Sequence, residues 1–139
     1  MKQRCGFYRL TTLAAMLFAV ASSLALAAGN PTYPDPLVEQ RADPWVWKHS
    51  DGYYYFIATV PEYDRIELRR SKTLAGLREA EPKVIWRKHE RGPMSWHIWA
   101  PELHFIDGKW FVYFAAGKAE AVWDIRMYVL ENTSPNPLQ

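Results

Sequence analysis

The stretch ADPWVWKHSDGYYYF, residues 42–56, has a counterpart of the same design in APELHFIDGKWFVYF, residues 100–114. Each copy sets a carboxylate beside proline, followed by an aromatic-rich run, Asp-Gly and a second aromatic run. The two Asp-Gly pairs lie 56 residues apart. Short strands joined by tight turns that recur at such a period are typical of propeller blades rather than of a sandwich. The repeat therefore predicts an all-β propeller, with one carboxylate of each copy at the same rim of a central funnel.

Turn signals and alternating residues divide the chain into short strands. Asp51-Gly52 is a type I′ hairpin signal, and residues 66–69 alternate apolar with charged side chains as a half-buried strand does. The predicted strands are residues 45–48, 53–59, 66–70, 84–86, 103–106, 110–115 and 126–130. Large rings fill the space between sheets well, so most aromatic residues are expected to pack there, among them Trp45, Tyr55, Trp110 and Phe114.

Residues 1–27 have the pattern of a secretory signal peptide. Basic residues precede an apolar run over 13–21, and Ala25 and Ala27 form an A-x-A cleavage site. An uncleaved membrane anchor is the alternative, although the apolar core is well short of the roughly 20 residues that a span needs. The sequence therefore predicts a secreted or periplasmic protein that starts at residue 28 and leaves the membrane after cleavage.

Removal of the signal peptide changes the charge and the cysteine content. It takes away three of the 17 Lys and Arg residues and leaves the 15 Asp and Glu residues one ahead. Without a basic excess, nucleic acid is not an expected partner. Cys5 leaves with the signal, so we expect residues 28–139 to fold without a disulfide.

The motifs together resemble glycoside hydrolase family 43. They are Ala-Asp-Pro at 42–44, Asp-Gly-Tyr-Tyr at 51–54, Trp-Ala-Pro-Glu at 99–102 and Asp-Gly-Lys-Trp at 107–110. The resemblance covers about residues 30–139. It implies an arabinofuranosidase- or xylosidase-type enzyme with a five-bladed propeller, which hydrolyses arabinose- or xylose-containing plant polysaccharides and inverts the anomeric centre. Residues 28–139 would supply only about the first two blades, so the chain is expected to be a truncated, inactive N-terminal part.

Asp43 matches the family's general base. Its task would be to take a proton from a water on the sugar face opposite the leaving group. The alternative is that Asp43 only starts a turn by accepting local N–H groups. The resemblance assigns the leaving-group acid, and the Asp that orients it, to sequence outside this chain.

Further candidates for substrate contact surround the second motif. Trp99 offers an aromatic face to a sugar, with core packing as the alternative, and Glu102 would contact a sugar hydroxyl or act indirectly, with a structural role as its alternative. His97 would donate to a hydroxyl. Tyr63 and Arg65 would contact substrate at the rim, although Arg65 could pair with Glu62 or Asp64 instead.

No metal site is predicted, because the four histidines lack close His-x-His or His-x₃-His spacing. The family implies a structural calcium ion at most, with its ligand outside this chain, and no required cofactor. A carbohydrate-binding propeller without catalysis is the alternative function. The Kelch and WD signatures of protein-interaction propellers are absent.

Overall fold

The computed structural model describes residues 32–33 and 35–139. The predicted signal peptide, residues 1–27, lies outside the described residues. Within the described part no helix has the length and apolarity that a membrane crossing requires.

The described residues form two antiparallel sheets, each a meander. The first sheet has the order β1 (Ala42–Lys48), β2 (Tyr54–Thr59), β3 (Arg65–Ser71) and β4 (Lys83–Arg87), and the second has the order β5 (Pro93–Ile106), β6 (Lys109–Lys118) and β7 (Ala121–Asn132). A short 3-10 helix, Ala75–Leu77, lies between β3 and β4. The prediction of an all-β fold is confirmed, and every predicted strand has a counterpart among these strands.

Strand β5 begins ten residues earlier than the predicted segment 103–106. Its pairing with β6 is irregular at three places, and Met94, His97 and Ala100 have φ of 59°, 50° and 47°. A positive φ is costly for a residue with a side chain, and each irregularity changes which face the next side chain points to. The first half of β5 therefore lacks the two-residue alternation by which a strand is recognised in a sequence.

The two Asp-Gly turns differ in geometry. Asp107 and Gly108 have φ of 49° and 81°, as a type I′ turn requires. In the first turn only Gly52 has a positive φ, and its N–H donates to the His49 carbonyl at 3.0 Å. The type I′ prediction is thus wrong for Asp51-Gly52, which belongs to a longer loop that ends in a glycine bulge.

The side chain of Asp51 stabilises the longer loop. Its Oδ1 accepts the Tyr53 N–H at 2.9 Å, and its Oδ2 accepts the Tyr55 hydroxyl at 2.7 Å. Burial and the bond to Asp51 raise the pKa of Tyr55 to about 12. The loop conformation is therefore held by a buried side chain of the following strand.

One hydrophobic core lies between the sheets. Side chains of β2 and β3 pack there against side chains of β5 and β6, and the Trp45 indole donates to the Leu103 carbonyl at 3.0 Å. The predicted packing of aromatic residues is confirmed, since Tyr55, Trp110 and Phe114 are buried and Trp45 packs against the core. The central members of the core are Tyr55, Ile57, Ile66, Leu68, Ile98, Leu103, Trp110, Val112, Phe114 and Ala116.

Candidate active site

Asp43 is an exposed residue in a distorted part of β1. Its φ is 51°, and the register of β1 against β2 shifts between Ala42 and Trp45. Bulges of this kind occur next to active sites, where they redirect a side chain. The strained backbone lets the Asp43 carboxylate lie where a regular strand would not place it.

A buried threonine holds the Asp43 carboxylate. The Thr59 hydroxyl donates to Asp43 Oδ2 at 2.9 Å and accepts the Ala100 N–H at 2.8 Å. Thr59 is 3% exposed. A hydroxyl group has one hydrogen to donate. Thr59 accepts the Ala100 N–H through its oxygen, so its own hydrogen is free for the bond to Asp43. This hydrogen-bond relay, from the Ala100 N–H through the Thr59 hydroxyl to Asp43 Oδ2, therefore connects β5, β2 and β1.

An open cleft of about 260 Å³ adjoins this relay. We call it the first cleft. It reaches from the residues just before Asp43 to the loop after β2, and its lining is Gln40, Arg41, Ala42, Thr59, Val60, Pro61 and Tyr63. The cleft gives a ligand access to the strand end that carries Asp43.

Aromatic rings cluster beside Tyr63. The Trp99 ring lies perpendicular to the Tyr63 ring with centroids 5.8 Å apart, and it stacks on His97 at 4.3 Å and 16°. Trp123 lies 5.1 Å from His97 and is 76% exposed. Trp99 is half-buried, so it both packs in the cluster and keeps an accessible surface.

His97 makes two hydrogen bonds within the protein. Its Nε2 lies 2.9 Å from the Trp96 indole nitrogen, and its Nδ1 lies 3.2 Å from the Val122 carbonyl. An indole N–H can only donate, so Nε2 is the acceptor and Nδ1 carries the hydrogen. A sugar hydroxyl that bound His97 would have to displace one of these partners.

Arg65 is held by three carboxylates. Its guanidinium contacts Glu62 at 3.0 Å, Asp64 at 2.7 Å and Glu67 at 2.6 Å. Glu67 also pairs with Arg41 at 2.9 Å. The predicted alternative of pairing with Glu62 or Asp64 thus describes Arg65 in this structure, where Nη1 contacts both of these carboxylates and Nε contacts Glu67.

The network fixes the charge of Glu67. Burial alone would raise the pKa of this carboxyl, but the hydrogen bonds from Arg65 and Arg41 outweigh it and leave the pKa below its usual 4.5. Glu67 is therefore a buried carboxylate that stays ionised.

Glu102 lies within β5, opposite Tyr113 of β6. Its side chain is 50% exposed, and Oε2 lies 3.2 Å from Nε2 of His104. It follows Ala100 by two residues, so it is close in sequence to the end of the relay. Glu102 thus contacts a neighbour on its own strand, and half of its side chain remains accessible.

Two residues beside the predicted site have no clear signal in the sequence. Thr59 can be recognised as a site residue only when the strand register is known, because it is the partner of Ala42 in the pairing of β1 with β2. Trp123 lies in β7, outside the repeated motifs. Among the described residues, no group of three or more His, Cys, Asp or Glu side chains could hold a metal ion.

Comparison with known proteins gives a consistent match. The model of "Glycosyl hydrolases family 43" matches residues 33–137. An "Extracellular exo-alpha-(1->5)-L-arabinofuranosidase" of Streptomyces avermitilis is 62% identical over 118 residues, which are 85% of this chain and 24% of that protein. The protein of the same name from Streptomyces chartreusis is 58% identical over 127 residues, which are 91% of this chain and 39% of that protein.

A solved structure shares this fold. The crystal structure of alpha-L-arabinofuranosidase from Lactobacillus brevis has 54% identity and a TM-score of 0.72, over 77% of this chain and 35% of that chain. The chain thus spans between about a quarter and two fifths of the length of these relatives.

Proposed function

Because the chain belongs to glycosyl hydrolase family 43, we propose that it forms the N-terminal part of an exported α-L-arabinofuranosidase. The names of the Streptomyces relatives support arabinofuranose rather than xylose as the released sugar and support export. On this proposal residues 1–27 are the signal peptide. The two meander sheets are two blades of a five-bladed propeller.

The relay at Asp43 is the observation that carries the proposal. A general base must be ionised and held in one place while it removes a proton from water. The Thr59 hydroxyl meets the second requirement by holding Oδ2, which leaves Oδ1 for water. In an inverting mechanism the acid lies about 6.5–9.5 Å from the base, leaving room for that water.

A general acid completes the mechanism from sequence outside this chain. Glu102 is not assigned that role, since its exposed carboxylate contacts His104. In our proposal Glu102 either contacts a sugar hydroxyl or acts indirectly, by positioning its neighbours in β5. Trp99 supplies the aromatic face on which the sugar lies.

Activity of a hybrid enzyme tests this proposal. In the hybrid, residues 33–137 replace the matching segment of the Streptomyces chartreusis protein. We expect it to hydrolyse 4-nitrophenyl α-L-arabinofuranoside faster than the β-D-xyloside. Proton NMR at early times should detect β-arabinofuranose, and an α product would contradict inversion.

We expect the 139-residue chain alone to release no arabinose from α-(1→5)-linked arabinotriose. The reason is that a sugar leaving group must be protonated as it departs, and the base would act without a general acid. Time courses at high protein concentration, with the hybrid as positive control, measure this. Hydrolysis by the chain alone would show that one of its own carboxylates serves as the acid. Glu102 would be the first candidate.

We expect Thr59→Val to lower kcat of the hybrid about tenfold with a small change in KM. A hydrogen bond to a charged group contributes about 1.5–3 kcal/mol, and a factor of ten in rate corresponds to about 1.4 kcal/mol. Thr59→Ser keeps the hydroxyl and should recover most of kcat. If Ser and Val variants have the same kcat, Thr59 does not position Asp43.

A carbohydrate-binding propeller without catalysis is the second candidate. The exposed rings of Trp96 and Trp123 favour it, because such rings can bind sugars without any acid or base. A hybrid that binds arabino-oligosaccharides but cleaves none would support this candidate.

A further inference from the structure

A second cleft shares Tyr63 with the first cleft. Its volume is about 110 Å³, and its lining is Glu62, Tyr63, Lys88, Trp96 and His97. Tyr63 also lines the first cleft. Tyr63 therefore borders both the cleft that adjoins the Asp43 relay and this second one.

Two exposed rings give the second cleft an apolar surface. Tyr63 is 43% exposed and Trp96 is 41% exposed. The Trp96 ring is held by its bond to His97, so its orientation is set before any ligand arrives. Fixed aromatic faces bind the C–H side of a sugar ring at little entropic cost.

Charged groups of both signs stand at the same cleft. Lys88 Nζ lies 5.9 Å from the centroid of Trp96 and donates one hydrogen bond, to the Ser95 carbonyl at 3.3 Å. Glu62 is exposed and shares Arg65 with other carboxylates. An ammonium group has three donors, so Lys88 can also bind a hydroxyl oxygen, while Glu62 accepts a hydroxyl hydrogen. Opposite charges at one cleft suit a neutral polyol better than an anion.

We propose that the second cleft is a subsite for another sugar residue of the chain whose cleavage occurs beside Asp43. The proposal rests on the proposed function for the position of the cleaved bond. The substrate would pass over Tyr63 and place a further residue against Trp96, with its hydroxyls between Lys88 and Glu62. The ligand class is a neutral pentose oligosaccharide rather than a single glycoside.

Substrates of two lengths test the subsite in the hybrid enzyme. One is 4-nitrophenyl α-L-arabinofuranoside, which has a single sugar, and the other is α-(1→5)-linked arabinotriose. The variants are Trp96→Ala, Trp96→Phe and Lys88→Met. Lys109→Met is the matched control, because Lys109 pairs with Glu131 at the β5–β6 turn.

The measured quantity is the ratio of kcat/KM for arabinotriose to kcat/KM for the aryl substrate. We expect Trp96→Ala to lower this ratio about three- to tenfold and Lys88→Met about threefold. Trp96→Phe keeps an aromatic ring but loses the bond to His97, so its ratio should fall between those of the parent and Trp96→Ala, whereas Lys109→Met should keep the parental ratio. Equal losses on both substrates, or no loss on arabinotriose, would overturn the proposal.

A binding measurement separates this proposal from the proposed function. Calorimetry with arabinotriose in the Asp43→Asn background, where hydrolysis is too slow to consume the ligand, should give a Kd that Trp96→Ala raises by a similar factor. If the hybrid is inactive but shows this dependence on Trp96, the subsite stands and the hydrolase proposal fails. If the hybrid hydrolyses the aryl substrate but Trp96→Ala leaves the Kd for arabinotriose unchanged, the subsite proposal fails and the hydrolase proposal stands.

Discussion

Asp43→Asn is expected to lower kcat of the hybrid enzyme by a factor of about 10²–10⁴. Asparagine has nearly the same size, and its amide oxygen can still accept the Thr59 hydroxyl, so the relay from Ala100 is preserved. The amide cannot take a proton from water. Arabinotriose should still bind, since the lost interaction belongs to the transition state. Steady-state kinetics and calorimetry on the same preparation measure both effects.

Asp107→Asn is the matched control for this substitution. Asp107 has φ of 49° against 51° for Asp43, so both changes place asparagine in a left-handed conformation that it tolerates well. The control should keep the parental kcat. If Asp43→Asn is fully active and only its melting temperature falls, Asp43 is a turn residue and not the base.

Glu67→Gln is expected to lower the free energy of unfolding by about 3 kcal/mol at pH 7. Removing one partner of a buried ion pair costs about 3–5 kcal/mol, and the lower end applies because Arg65 keeps Glu62 and Asp64. Arg41 loses its carboxylate partner. Denaturant unfolding of the hybrid measures the change.

The effect should depend on pH in one direction. The folded-state pKa of Glu67 lies below its usual 4.5, so the unfolded carboxyl binds its proton first as the pH falls. The stabilisation is therefore complete above about pH 4.5 and disappears as the pH falls through the lowered value. The difference between parent and Glu67→Gln should shrink over this range.

Glu39→Gln provides the comparison for an exposed pair. Glu39 contacts Arg78 at 2.8 Å, with 67% of its side chain exposed. Surface ion pairs contribute about 0–1 kcal/mol, so this variant should be nearly as stable as the parent. Equal losses for the two variants would mean that the network around Glu67 does not support the fold.

The sequence by itself determined the all-β class, the family and the positions of the strands apart from the first half of β5. These follow from local signals: aromatic runs, Asp-Gly turns and the repeat of residues 42–56 at 100–114. It also singled out Asp43, because the motif around that residue is continuous in the chain. Features of this kind need no knowledge of which strands pair.

Only the tertiary structure decided how the candidate site is assembled. Thr59 lies 16 residues after Asp43 and 41 before Ala100, and no local pattern connects the three. Arg65 was predicted at the rim with Glu62 or Asp64 as alternative partners, and only the fold adds Arg41, which reaches the same Glu67 that Arg65 contacts. The positive φ of Asp43 and Ala100 and the irregular pairing of β5 remove the two-residue period on which sequence analysis depends. Strain and long-range hydrogen bonds, which shape this site, arise only when distant segments pack.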